Sequence, residues 1–113
     1  MVYRYVSILE KEKQMLEELG EHGIVILVYL YVHGKAYISE IQKKLGIGAV
    51  PLYRALAVLY KLRLVEEEKR FPRKYLKLTE EGREVAELLV EAEKKLIAVA
   101  EKHGIKPESI ITQ

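Results

Sequence analysis

Any chemistry on this chain falls to Lys, Arg, Glu, Tyr, Ser, Thr and His, because its 113 residues include no Cys, Asp, Asn or Trp. The densest grouping is Lys69-Arg70-Phe71-Pro72-Arg73-Lys74, four cations in six residues around a stiff turn-forming pair. Such a cluster is suited to phosphates or to a minor groove, not to bond making. Glu66-Glu67-Glu68, just before it, reads as the solvent face of a strand in preference to a hard-cation site. His22, His33 and His103 each precede a glycine. That is the pattern of helix C-termini, with a cation-capable side chain in the last turn and a left-handed Gly beyond it, so no metal site is expected. Nucleophilic catalysis lacks its parts: there is no thiol and no Gly-rich phosphate loop, and Ser7, Ser39 and Ser109 have no histidine close by in sequence. Neither enzymatic activity nor a cofactor is expected.

The cations are unevenly spread. From Lys35 to Lys77 eleven Lys and Arg stand against four Glu, a local charge of +7, while the remaining residues carry −5, giving the overall +2. A basic middle between acidic flanks suits one face for a polyanion and ends with a different task. Half of the residues are apolar, enough for the core of one domain. The longest apolar run, Ile24 to Val32, has nine residues, where a membrane span needs about 20. Glu10, Glu12, Glu17 and Glu18 break the order of a secretory signal. A soluble, cytoplasmic protein without membrane contact is expected. Acidic residues that are all Glu, with many Lys and no Asn or Cys, match a thermophile composition.

These residues need elements to hold them. Tyr5, Ile8, Leu9, Leu16 and Leu19 recur at helical spacing over Tyr3 to Leu19, closed by His22-Gly23. Ile24 to His33 is apolar nearly all round, as in a short central helix. Lys35 to Ile38 is extended. Ser39 with Gln42 forms a capping-box pattern that opens a helix stopped by Gly46. From Ala49 to Leu62 a longer helix carries Leu52, Ala55, Leu56, Leu59 and Leu62 on one stripe, with Gly48 as N-cap and Pro51 in the first turn. Leu64 to Lys69 and Lys74 to Leu78 form a hairpin joined by Arg70 to Arg73. Thr79 caps a last helix reaching about His103, favoured by Glu80 and Glu81 at its positive end. Ile105 to Gln113 is a polar tail.

This is the order of a winged helix-turn-helix: mainly α with a small β-hairpin wing. One domain, 1–113, is expected, with a core over about 24–82 and flanking helices over about 3–20 and 80–103. In such units the second helix of the pair enters the major groove while the first lies across the backbone. The expected DNA-binding residues are Ser39, Lys43, Lys44, Ala49, Tyr53, Arg54 and Lys61 on the helix pair, and Lys69, Arg70, Arg73 and Lys74 on the wing. Arg54 is the candidate base contact. Val85, Leu89, Ala92, Leu96 and Val99 step as a heptad seam longer than one small domain can cover. With Tyr5, Leu9 and Leu16 they are the expected homodimer interface.

Leu45-Gly46-Ile47 through Leu64-Val65-Glu66 resembles the recognition-helix region of MarR-like regulators. Leu52-Tyr53-Arg54-Ala55-Leu56 with Leu59 is similar to the PadR family, and Phe71 through Arg83 is similar to the strand-and-helix junction of both. The resemblance spans roughly Ile24 to Leu89. It implies a sequence-specific regulator of transcription, bound to double-stranded DNA as a homodimer and open to a small-molecule effector of unspecified chemistry. The alternatives are a non-specific architectural or chromatin protein and a winged helix used for protein contacts. Three departures stand: the Ile24–His33 helix lacks the PadR signature, the wing is shorter than in most MarR members, and Arg63 occupies the place of the Gly that usually ends the recognition helix. Ligand chemistry is therefore not transferred.

Overall fold

The computed structural model describes residues 2–108, with side chains from Met15 onward. Tyr5, Ser7, Ile8 and Leu9 lie outside the described side chains, and Ser109 outside the described residues. The element order is α1 (Val2–His33), β1 (Lys35–Tyr37), α2 (Ile38–Leu45), α3 (Ala49–Lys61), β2 (Val65–Arg70), β3 (Arg73–Leu78) and α4 (Glu80–Lys102). The strands form one antiparallel sheet in the order β1-β3-β2. The architecture is thus a helix-turn-helix followed by a β-hairpin wing, flanked by two longer helices.

The expected break between the first two helices is displaced. Gly20, with φ 63° and ψ 176°, interrupts α1, because a residue without Cβ takes left-handed φ at little cost. Gly23 is instead helical and buried. A Cβ there would lie 3.7 Å from Leu19 and 3.9 Å from Leu59 of α3. His22 is therefore inside the second helical segment and does not cap the first. That segment drives Ile26, Leu27 and Leu30 into the core, where they meet Ile41, Leu52, Leu56, Leu59 and Leu76. Tyr29 ties it to α2 by donating to Glu40 at 2.8 Å.

Ser39 does not open α2. Lys35–Tyr37 is held by β3 through Ala36 opposite Leu76, and the chain turns helical directly at Ile38, leaving Tyr37 as an N-cap without a side-chain bond. Ser39 thus falls in the first turn. The helix ends at Gly46, as expected.

α3 ends by a device normally built on glycine. Leu64 N–H donates to Leu59 O and Arg63 N–H to Tyr60 O, the paired bonds of a Schellman ending. The left-handed position belongs to Arg63, φ 57°. A Cβ makes this conformation strained by about 1–2 kcal/mol. The burial of Leu64 beside Leu59 offsets it.

The hairpin turn is tighter than expected. Arg70 and Arg73 pair directly, so only Phe71 and Pro72 lie outside the strands. At the hairpin's base Thr79 caps α4 as expected, its hydroxyl accepting from Gly82 N–H at 3.0 Å and donating to Arg63 O at 2.7 Å. Among the described residues, no helix is long and apolar enough to cross a membrane.

Candidate nucleic-acid interface

Burial along α3 alternates with helical period. Leu52, Ala55, Leu56 and Leu59 are buried, while Ala49, Val50, Tyr53, Arg54 and Ala57 are exposed. The outward face of its first two turns therefore has one charged group, Arg54, set among Tyr53 and apolar side chains. Val50, 69% exposed, belongs to this face and went unnoticed in sequence, where it merges with the apolar stripe. Ser39, Lys43 and Lys44 are all exposed on α2. Lys61 stands apart: it lines a groove with Met15 and Glu18 of α1 and with Ala57, Val58 and Leu62. Lys61 itself is two turns beyond Arg54, about 10 Å along the helix.

Strand alternation divides the wing into two faces. Val65, Leu76 and Leu78 are buried on one, and Lys69 opposite Lys74 continues that face past the end of the core. Neither lysine has a recorded ion pair among the described residues. Glu66, Glu68 and Arg70 on β2 share the other face with Arg73, Tyr75 and Lys77 on β3 and with Lys35 and Tyr37 on β1.

On that outer face the charges are internally engaged. Glu68 accepts from Lys35 at 2.7 Å and lies 3.3 Å from Arg70 and 3.6 Å from Lys77. The Lys35 hydrogen bond, reinforced by the charges of Lys35, Arg70 and Lys77, holds its carboxyl below the usual range against the opposing effect of burial. Tyr37 and Tyr75 stack with centroids 4.3 Å apart and hydroxyls 2.5 Å apart. The two hydroxyls share one hydrogen bond in which either can donate, and it lowers the Tyr37 pKa while raising that of Tyr75. The Arg73 guanidinium lies 4.7 Å from the Tyr37 ring centre and the Lys35 ammonium 5.0 Å from that of Tyr75, within cation–π range. These contacts fix where the wing projects. Sequence spacing hid them, because β1 is three residues long and lies far from β3 along the chain.

The two halves of the site meet. Tyr37, Ile38 and Ser39 line one cleft with Arg73 and Lys74 of the wing, bringing the start of α2 beside two wing cations. Behind it, the Tyr60 hydroxyl donates to Glu67 at 3.0 Å, joining α3 to β2. Burial first, then this bond and the Glu67 charge, push the Tyr60 pKa from 10.0 to about 12. Above its unfolded pKa the unfolded chain releases this proton while the folded chain keeps it. Folding stability should therefore fall as pH rises from 10 towards 12. Chemical denaturation across that window should show a shallower decline in Tyr60→Phe, and an unchanged slope would mean that Tyr60 does not hold its proton.

The remaining candidates separate clearly. Among the described residues no three His or Glu side chains converge as metal ligands; Glu67 and Glu68 are bound to Tyr60 and to wing cations. His33 ends α1 before Gly34, and His103 caps α4 before Gly104, both glycines with positive φ. Along α4, Val85 and Leu89 pack against their own core, whereas Ala92, Leu96 and Val99 are open to solvent. Leu88, 71% exposed, extends that open stripe, and Leu16 of α1 is also exposed.

No protein-family model and no curated protein matches the chain. Solved structures do. An apo-form structure of Lactococcus lactis ZitR, 20% identical, superposes with a TM-score of 0.71 over 98% of this chain and 87% of that one. The adhesin competence repressor AdcR of Streptococcus pyogenes, 17% identical, gives 0.68 over 97% and 84%. A transcriptional regulator homologue from Pyrococcus horikoshii, 28% identical, gives 0.62 over 78% and 92%. ZitR and AdcR are MarR-family winged-helix regulators of transcription, and this chain has their winged helix-turn-helix fold.

Proposed function

We propose that the protein is a homodimeric regulator of transcription that binds double-stranded DNA, with the start of α3 in the major groove and the wing on the backbone or minor groove. The observation that carries this reading is the cleft where Arg73 and Lys74 meet Ser39 at the start of α2. It joins the wing to the helix pair as one cationic surface, with Lys69 and Lys74 free of recorded ion pairs. Selection of bound fragments from a random duplex pool tests the reading. Recovery of a discrete sequence supports a regulator, length-dependent binding of any duplex supports an architectural protein, and no salt-dependent binding overturns DNA as the partner.

Arg54 is the one charged group on the open face of early α3. Arg54→Ala should relax selection at one position of each half-site, costing about 1–3 kcal/mol for a bidentate guanine contact. Equal weakening on all sequences would make Arg54 a phosphate contact instead.

Dimerisation is assigned to the open part of α4, Leu88, Ala92, Leu96 and Val99; the exposed Leu16 of α1, with Tyr5 and Leu9, belongs to the same proposal. Burying a Leu or Val contributes about 1.5–3 kcal/mol, so Leu96 and Val99 on both chains supply about 6–12 kcal/mol. Association costs about 4–15 kcal/mol. Leu96→Glu combined with Val99→Glu should give a monomer in sedimentation that keeps its helical circular dichroism, since both side chains are solvent-facing in the single chain. A dimer that survives this change is built elsewhere.

A further inference from the structure

The apex of the wing carries a side chain that charge neutralisation does not use. Phe71 is 101% exposed, whereas every other exposed large apolar side chain among the described residues is at 71% or less. Pro72 completes a two-residue turn, so the ring stands at the extreme end of the hairpin. Immediately behind it Arg70 faces Arg73, and behind them Lys69 faces Lys74. An unpacked aromatic ring therefore projects ahead of two rungs of cations, on strands braced from below by the Tyr37–Tyr75 stack.

We propose that Phe71 is a wedge that enters the minor groove of duplex DNA and partly unstacks one base step, while the cations behind it hold the phosphates on either side. The inference rests on the DNA reading above. Charge selects the occupant. The minor groove offers stacked bases between two rows of phosphates, an apolar interior with anionic walls, and the wing tip presents the complementary order of ring first and cations second. The groove is about 6 Å wide, too narrow for both strands of the hairpin, so the ring alone leads into it while the strands and their cations stay at its rim beside the phosphates. Apolar wedges of this kind kink the duplex by about 20–90° towards the major groove. The wedge would also add specificity without a base hydrogen bond, since pyrimidine–purine steps unstack most easily. That suits a recognition helix whose open face has one charged group.

The test uses full-length protein and the duplexes it selects, labelled at both ends for energy transfer and carrying 2-aminopurine at the step under the wing. Wild-type protein should shorten the end-to-end distance and raise 2-aminopurine fluorescence. Phe71→Ala should abolish both changes and weaken binding by about tenfold, the scale of one lost base–aromatic contact. The slope of log affinity against log salt should stay unchanged, because every cation remains. Phe71→Leu should retain most of the bend. Circular dichroism should be the same for all three proteins, since the ring touches nothing in its own chain. An unchanged bend and unstacking signal in Phe71→Ala overturns the wedge while leaving DNA binding intact. The wedge is equally overturned if Phe71→Ala leaves duplex binding untouched but abolishes binding to phosphatidylserine vesicles. Failure of wild-type protein to bind any duplex overturns the DNA reading itself.

Discussion

Gly82→Ala should lower the unfolding free energy by about 3 kcal/mol or more, the upper end of what one added methyl costs in a packed site. A Cβ at Gly82 would stand 1.8 Å from Leu64 O, 2.8 Å from Leu64 C and 3.1 Å from Leu64 Cα. All three are backbone atoms, so no rotamer change relieves the clash, and α4 must move. Moving it breaks Thr79 N–H to Leu64 O and the Thr79 hydroxyl bond to Arg63 O. For a chain of this size the melting temperature should fall by roughly 10–15 °C. Gly23→Ala is the internal control, because its Cβ would meet only ordinary contacts at 3.7 Å or more. That variant should gain up to about 1 kcal/mol from helix propensity. Similar melting temperatures for the two variants would show that α4 is not seated on Leu64.

Neutralising Arg70, Arg73 and Lys74 together should weaken binding to every duplex alike and flatten the log–log salt dependence by up to about 2.7, at about 0.9 per phosphate contact. The structure makes the three unequal. Lys74 has no recorded ion pair, whereas Arg70 must leave Glu68, 3.3 Å away, and Arg73 must keep or exchange its place over Tyr37. Lys69→Gln with Lys74→Gln should therefore cost more than Arg70→Gln with Arg73→Gln. Glu68→Gln should act in the opposite direction. It removes the carboxylate that competes with phosphates for Lys35, Arg70 and Lys77, so binding should tighten and its salt dependence steepen. An unchanged salt slope in the triple variant would put the DNA face elsewhere, and weaker binding in Glu68→Gln would make Glu68 a brace and not a competitor.

Long periodic elements were readable from sequence. The α3 stripe, the Thr79 cap, the Gly46 stop and the alternation of Leu76 and Leu78 all follow from local spacing. Effects set by distant residues were not. His22-Gly23 looks like a helix end, but Gly20 takes the left-handed turn and Gly23 packs against Leu59 of α3. Ser39 with Gln42 matches a capping box, but pairing of β1 with β3 starts the helix two residues too early for it. The heptad seam is continuous in sequence, yet Val85 and Leu89 are absorbed by their own core and only its second half is open. The basic character of the wing was visible as a charge count. Which cations are already engaged depends on Glu68, Tyr37 and Tyr75, whose partners are separated by up to 38 residues.

The bonding around Thr79 also has a mechanical meaning. Its hydroxyl and amide bind the end of α3 to the beginning of α4 through Arg63 O, Leu64 O and Gly82 N, and Gly82 seats the joint so closely that not even a methyl group fits. The two helices are a bell crank without a pivot. α3 has 13 residues and is about 20 Å long, so tilting α4 by 10° would carry the far end of α3 through roughly 3 Å. Two copies reading successive major grooves must hold their α3 helices about 34 Å apart. In a pair joined through α4, a few degrees between the joined helices would be enough to bring both readers into step with the duplex or to put them out of step.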